Sequence, residues 1–130
     1  MRNSNLNQNE HTIVRANLRS FLLLTDQWEL SRREANILIG LSGLHSIAHW
    51  ETRPDDVALT EYQAERLSYI LSICKMLDTR CKSPAEATKW LRESNPALVF
   101  ANRTPLSVLS GDGIADLKRV TSWLVSDDKI

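Results

Sequence analysis

The sequence has no excess charge of either sign: 16 Lys and Arg balance 16 Asp and Glu over 130 residues. A strongly basic balance is the electrostatic footprint of most nucleic-acid-binding domains, so its absence confines any such role to a local patch. Cysteine is scarce. Cys74 and Cys81 do not form a CxxC pair, so no zinc knuckle is indicated. Seven residues apart on one helix they would be separated by about 10 Å of rise, too far for a disulfide. Long apolar runs are missing too; the stretch from Phe21 to Leu24 is among the longest, far short of a membrane span. The first ten residues, MRNSNLNQNE, are polar and hold no apolar signal-peptide core. They are expected to be a disordered tail, and the cytoplasm is the expected compartment. Gly-rich phosphate loops, nucleophile elbows and HExxH motifs are absent, which argues against an enzyme. The pairs Asp55-Asp56 and Asp127-Asp128 fall in loop or tail contexts and read as solvated charge. His45 and His49, four apart, could share one helical face, but no third metal ligand accompanies them. Neither a metal nor a cofactor is expected.

What is present is helical patterning. Val14, Leu18, Phe21 and Leu22 recur on one face and predict a helix from His11 to about Asp26. Ser31-Arg32-Arg33-Glu34 is a capping box opening a short helix through Ile39, and Gly40 supplies a turn. Ser42 can cap a further helix from Gly43 to about Glu51, stopped by Arg53-Pro54. Thr60-Glu61-Tyr62-Gln63 is a second capping box. It opens a long helix with Leu67, Ile70, Leu71, Cys74 and Leu77 on one stripe. Ser83-Pro84-Ala85-Glu86 reads as a third box, with proline where its missing amide costs nothing. Its helix carries Ala87, Trp90 and Leu91 and stops before Asn95-Pro96. Thr104-Pro105 starts another, through about Leu109, and a last helix carries Ile114, Leu117, Val120, Trp123 and Leu124. No stretch sustains two-residue alternation of β-branched residues. The expectation is an all-α chain of about seven helices, with no internal repeat.

The two short helices joined through Gly40-Leu41-Ser42 suggest a helix-turn-helix over residues 11–58. Its second helix would present Ser42, His45, Ser46 and His49 to DNA, with Arg32 and Arg33 on phosphates, while Ile47 and Trp50 face inward. The reading helix has no Lys or Arg, so bidentate guanine contacts cannot come from it. Asn36 stands where many such motifs carry alanine. A fold of this type that serves only as packing or dimer scaffold is the competing reading.

Four segments in order, ERLSYILSICKML (65–77), WLRESNPAL (90–98), TPLSVLSGDG (104–113) and LKRVTSWL (117–124), carry a further signal. Together they resemble the toxin-binding domain of Xre/MbcA/ParS-type antitoxins over about residues 60–125. Xre-type members also carry an N-terminal helix-turn-helix, in the place of residues 11–55 here. The resemblance implies an antitoxin that blocks the active-site entrance of a RES-domain toxin, a class that consumes NAD. It also implies autorepression through operator DNA, and assembly as a homodimer or a hetero-oligomer with the toxin. Residues 59–130 would be the toxin-binding part. Trp90, Leu91, Pro105 and Leu106 would build its core. Arg92, Arg103, Trp123 and the tail Ser126, Asp127, Asp128, Lys129 and Ile130 would meet the toxin. Many relatives have glycine before the Ser/Thr-Pro-Leu start. Here Ala101-Asn102-Arg103 stands there, and Asn102 can take up the left-handed conformation. Two other functions fit the same residues: an immunity protein against a secreted RES-type effector, without DNA binding, and a stand-alone transcription regulator.

Overall fold

The computed structural model describes residues 8–41, 47–53 and 59–126. Among them are seven helices: α1 (Gln8–Gln27), α2 (Arg32–Ile39), α3 (Ile47–Thr52), α4 (Glu61–Arg80), α5 (Pro84–Arg92), α6 (Pro105–Leu109) and α7 (Ile114–Ser126). No strand occurs among the described residues, so the chain is all-α as its patterning predicts. α1 begins at Gln8, inside the stretch expected to be a disordered tail.

The helix ends follow local chemistry. Ser31 and Thr60 each accept from the amide three residues on, and Glu34 and Gln63 each accept from the cap amide in return. The third expected box is only half formed. Ser83 accepts from the Glu86 amide, but the Glu86 carboxylate accepts from Lys82 N, one residue further upstream. Two helices close by Schellman turns. For α2 the Leu41 amide donates to Asn36 O and the Gly40 amide to Ile37 O, with Gly40 at φ 79°. For α1 the Leu30 amide donates to Thr25 O and the Glu29 amide to Asp26 O, and the left-handed residue is Glu29 at φ 55°. No glycine marks that stop in the sequence, yet α1 ends within one residue of the expected Asp26; Trp28, just past its end, is fully buried and is not among the expected core residues.

α4 lies at the centre and packs against α7, α1, α2 and α5. A single core runs through the molecule. It includes Phe21 and Leu24 of α1, Leu38 and Ile39 of α2, Ile70, Ile73 and Leu77 of α4, and Leu117, Val120 and Leu124 of α7. Each such side chain stabilises the fold by about 1.5–3 kcal/mol relative to exposure. Ile47 and Trp50 of α3 are buried, as their inward assignment predicts.

One member of this interior is charged. Arg66 of α4 is fully buried. Its Nε donates to Leu38 O (2.8 Å), Nη2 to Leu109 O (2.6 Å) and Nη1 to Gly111 O (2.8 Å). Leu38 and Leu109 lie in the last turns of α2 and α6, where carbonyls lack helical partners and the helix dipole is negative. The guanidinium therefore replaces water for three carbonyls at once and ties α2 to the α6–α7 turn. Tyr62 adds to the joint: its hydroxyl donates to Asp112 O and its ring lies 5.7 Å from the Arg66 guanidinium carbon. Gly40 is pressed against the same pair. A Cβ at Gly40 would lie 2.9 Å from Tyr62 Cε2, so a side chain is refused there on space as well as on φ.

Candidate functional site: an apolar groove with a basic rim

The segment between α5 and α6 is a built loop. Asn95 N donates to Arg103 O (3.0 Å) and Asn102 N donates back to Asn95 O (2.9 Å), which closes the loop at its neck. Asn95 Oδ1 also accepts from Ala97 N (2.9 Å). Phe100 is fully buried and anchors the tip from within. Asn102 is left-handed at φ 66°, as its residue type predicts. Ala101 is left-handed as well, at φ 51°, which nothing in its chemistry signals.

Phe100 joins two tryptophans. Trp90 of α5 and Trp123 of α7 stack at 6.4 Å and 16°, and Phe100 meets both edge-on, at 5.6 Å from Trp90 and 5.3 Å from Trp123. Pairs of this kind add about 0.5–1.5 kcal/mol beyond their burial. Trp123 is thus half-buried structure as well as surface, as its place on the apolar stripe of the last helix predicts; the resemblance alone puts it among the toxin contacts. Leu91, Pro105 and Leu106 are buried and Trp90 is half-buried, consistent with their assignment to the core.

Beside the cluster lies an open groove of about 640 Å³, formed by Leu98, Val99, Arg103, Lys118, Arg119 and Trp123, with Ser122 between them. Leu98 is 95% exposed. Arg103 Nε donates to Phe100 O (3.3 Å), and Arg119 pairs with Asp116 one turn back. Of the residues expected to meet a partner, the groove gathers Arg103 and Trp123. Ser126 sits at the end of α7, its hydroxyl donating to Ser122 O (2.7 Å). Asp127, Asp128, Lys129 and Ile130 lie outside the described residues.

Arg92 is elsewhere. Its two terminal nitrogens donate to the two carboxylate oxygens of Glu34, each at 3.0 Å, and Nη2 also donates to Glu29 O (3.0 Å). This fork–fork pair joins the end of α5 to the first turn of α2. The hydrogen bonds from Arg92, with that from the Ser31 amide, pull the Glu34 carboxyl down to about 2. The pair lines a second, smaller groove with Ile37, Thr104 and Ser107.

In the N-terminal region, Arg33 is exposed, and Arg32 is paired with Glu51 of α3. Asn36 supports the local fold. Its Oδ1 accepts from Ile47 N (2.8 Å), satisfying a donor at the start of α3. Ser42, His45 and Ser46 lie outside the described residues, as does the side chain of His49. Burial, with Asp78 nearby, pushes Cys74 up to about 11, and burial raises Cys81 too; both are free. No group of three or more metal-ligating side chains occurs among the described residues, and no helix there is long and apolar enough to cross a membrane.

Residues 76–126, which carry the aromatic cluster and the groove, match the antitoxin Xre/MbcA/ParS C-terminal toxin-binding domain. An uncharacterized protein of Sinorhizobium fredii, y4oB, is 30% identical over 115 residues, covering 85% of this chain and 83% of its own length. Residues 76–126 thus belong to this family of antitoxin toxin-binding domains. No solved structure matches this chain. Its toxin-binding domain holds the whole groove lining, since Leu98 to Trp123 fall inside the matched residues. Sequence reasoning missed Leu98, Val99, Lys118 and Arg119. Leu98 and Val99 sit in a loop with no periodicity to read. Lys118 and Arg119 follow Leu117 on α7, off the buried stripe, where a basic pair reads as ordinary solvated surface.

Proposed function

We propose that this antitoxin neutralises an NAD-consuming RES-domain toxin by covering its active-site entrance, and that it represses its own operon as a homodimer or toxin-bound hetero-oligomer. The observation that carries the reading is the basic-rimmed groove with Leu98 and Trp123, placed within the matched toxin-binding residues. Neutralisation of this kind is steric. It needs a standard interface of about 1,600 Å² in total and no chemistry from the antitoxin. In this proposal residues 59–130 hold the toxin, with Arg103, Trp123 and the segment from Ser126 to Ile130 among the contacts. Arg92 supports the site by holding α5 against α2. Residues 11–58 read operator DNA through Arg33, Ser42, His45, Ser46 and His49, and the protein acts in the cytoplasm.

The test is to co-purify the chain with the product of the adjacent gene and to assay NAD consumption with and without the chain. A tight complex with loss of activity supports the proposal. An active, uncomplexed toxin refutes it. One observation favours a second reading, an immunity protein that does not bind DNA: Arg32, expected on a phosphate, is paired with Glu51 of the assigned reading helix. Promoter affinity that falls steeply with salt would exclude that reading, because neutralising phosphates releases counterions. Loss of promoter affinity in His45→Ala with His49→Ala, at unchanged neutralisation, would assign the reading helix.

A further inference from the structure

Leu98 poses a physical question. It is a large apolar side chain held almost wholly in water by a loop that cannot easily fold it away. The loop is closed by Asn95–Arg103 and Asn102–Asn95 main-chain bonds, pinned from below by Phe100, and carries left-handed strain at Ala101. Strain of this kind persists only where surrounding structure enforces it. A rigid apolar knuckle loses little entropy when a partner covers it.

The surroundings define that partner's chemistry. Trp123 and Val99 continue the apolar surface from Leu98 into the groove. The charged side chains in its lining are Arg103, Lys118 and Arg119, all cationic. Arg119 has Asp116, but among the described residues Arg103 bonds only a carbonyl and Lys118 has no ion-pair partner. At about 640 Å³ the groove is in the range that holds several side chains at once. We propose that it receives an acidic segment of the toxin, with one large apolar side chain set against Leu98 and Trp123 and carboxylates on Lys118 and Arg103. This rests on the toxin-binding reading above and adds to it the charge and shape of the toxin surface that docks.

The experiment is affinity between the full-length antitoxin and the purified toxin encoded beside it, at low and high salt, for wild type, Leu98→Asp, Lys118→Glu and Lys75→Glu. Leu98 and Lys118 are exposed, so neither substitution disturbs the core; circular dichroism verifies this. Lys75 lies outside the groove lining and controls for net charge. The expected result is a loss of about 30-fold for Leu98→Asp and for Lys118→Glu, the size of an interface hot spot. Lys75→Glu binds as wild type, and the salt dependence flattens in Lys118→Glu. A complex that forms equally well with both groove variants overturns this inference and leaves the toxin-binding reading standing. Tighter binding by Lys118→Glu also overturns it, since the docking segment would then be basic. No complex with wild type overturns the toxin-binding reading and this inference with it.

Discussion

Arg66 is bound to three main-chain carbonyls inside the core. Truncation leaves those carbonyls buried and unsatisfied, each at a cost of about 1–3 kcal/mol, not additively. Arg66→Ala is therefore expected to lose about 3–5 kcal/mol, the range for breaking buried charged networks. It would be read as a lower urea midpoint. Arg66→Lys should recover only part of this, because one ammonium cannot span three acceptors that a planar fork reaches. If Arg66→Met is as stable as wild type, the carbonyls are satisfied another way and the clamp is dispensable. Ala101 offers the opposite sign. Left-handed backbone costs a non-glycine residue about 1–2 kcal/mol, and glycine's extra unfolded-state freedom returns about 0.5–1 of that. Ala101→Gly should raise stability by roughly 0.5–1 kcal/mol, visible as a higher melting temperature. An unchanged or lower melting temperature would mean that the alanine methyl is packed to compensate. Trp123→Asp, in contrast, would break the stack with Trp90 and the edge contact with Phe100, so it cannot serve as a clean probe of partner binding.

Among the elements, the joint between α2 and α5 is the one that titrates. Glu34 sits at about 2 in the folded chain, against an ordinary value of 4.5, because Arg92 and the Ser31 amide hold its charged form. A carboxyl with a depressed folded value contributes stability above its ordinary value and loses it as the pH falls toward the folded one. The contribution is expected to be full above pH 4.5 and gone near pH 2. Both side chains are more than a third exposed, so solvent screening keeps it small. Glu34→Gln should flatten the wild-type loss of stability over that window, followed as urea midpoint against pH; parallel curves for the two proteins would remove Glu34 as a source. The elements themselves were largely legible: the caps at Ser31, Thr60 and Thr104 sit as their motifs predict and Ser83 keeps the cap without the reciprocal bond, because capping is local chemistry. What could not be read was long-range. Glu34 looks like half of a capping box, and its second partner is 58 residues away. Arg66 sits beside Leu67 on α4 and reads as one more exposed cation until three distant carbonyls are placed around it. Leu98 has no pattern at all, because its exposure is decided by loop closure.

At the scale of the whole molecule, tryptophans report on both regions: Trp28 and Trp50 in the first, Trp90 and Trp123 in the second. The core passes through both, and Arg66 and Arg92 each cross between them. Equilibrium unfolding should therefore be one cooperative event, with tryptophan fluorescence and far-ultraviolet circular dichroism giving coincident curves. Two separated transitions would show that the regions fold independently. The Arg66 joint also bears on how such proteins are assembled over evolution. Its acceptors are main-chain oxygens at 38, 109 and 111, so the joint does not depend on which side chains occupy those positions. An N-terminal region of quite different sequence could be spliced onto the same C-terminal half if its helix stopped at the same point, with a glycine at the place of Gly40 to clear Tyr62. Recombination across this seam is constrained by backbone length and shape, while the exposed side chains on either side are left free to diverge.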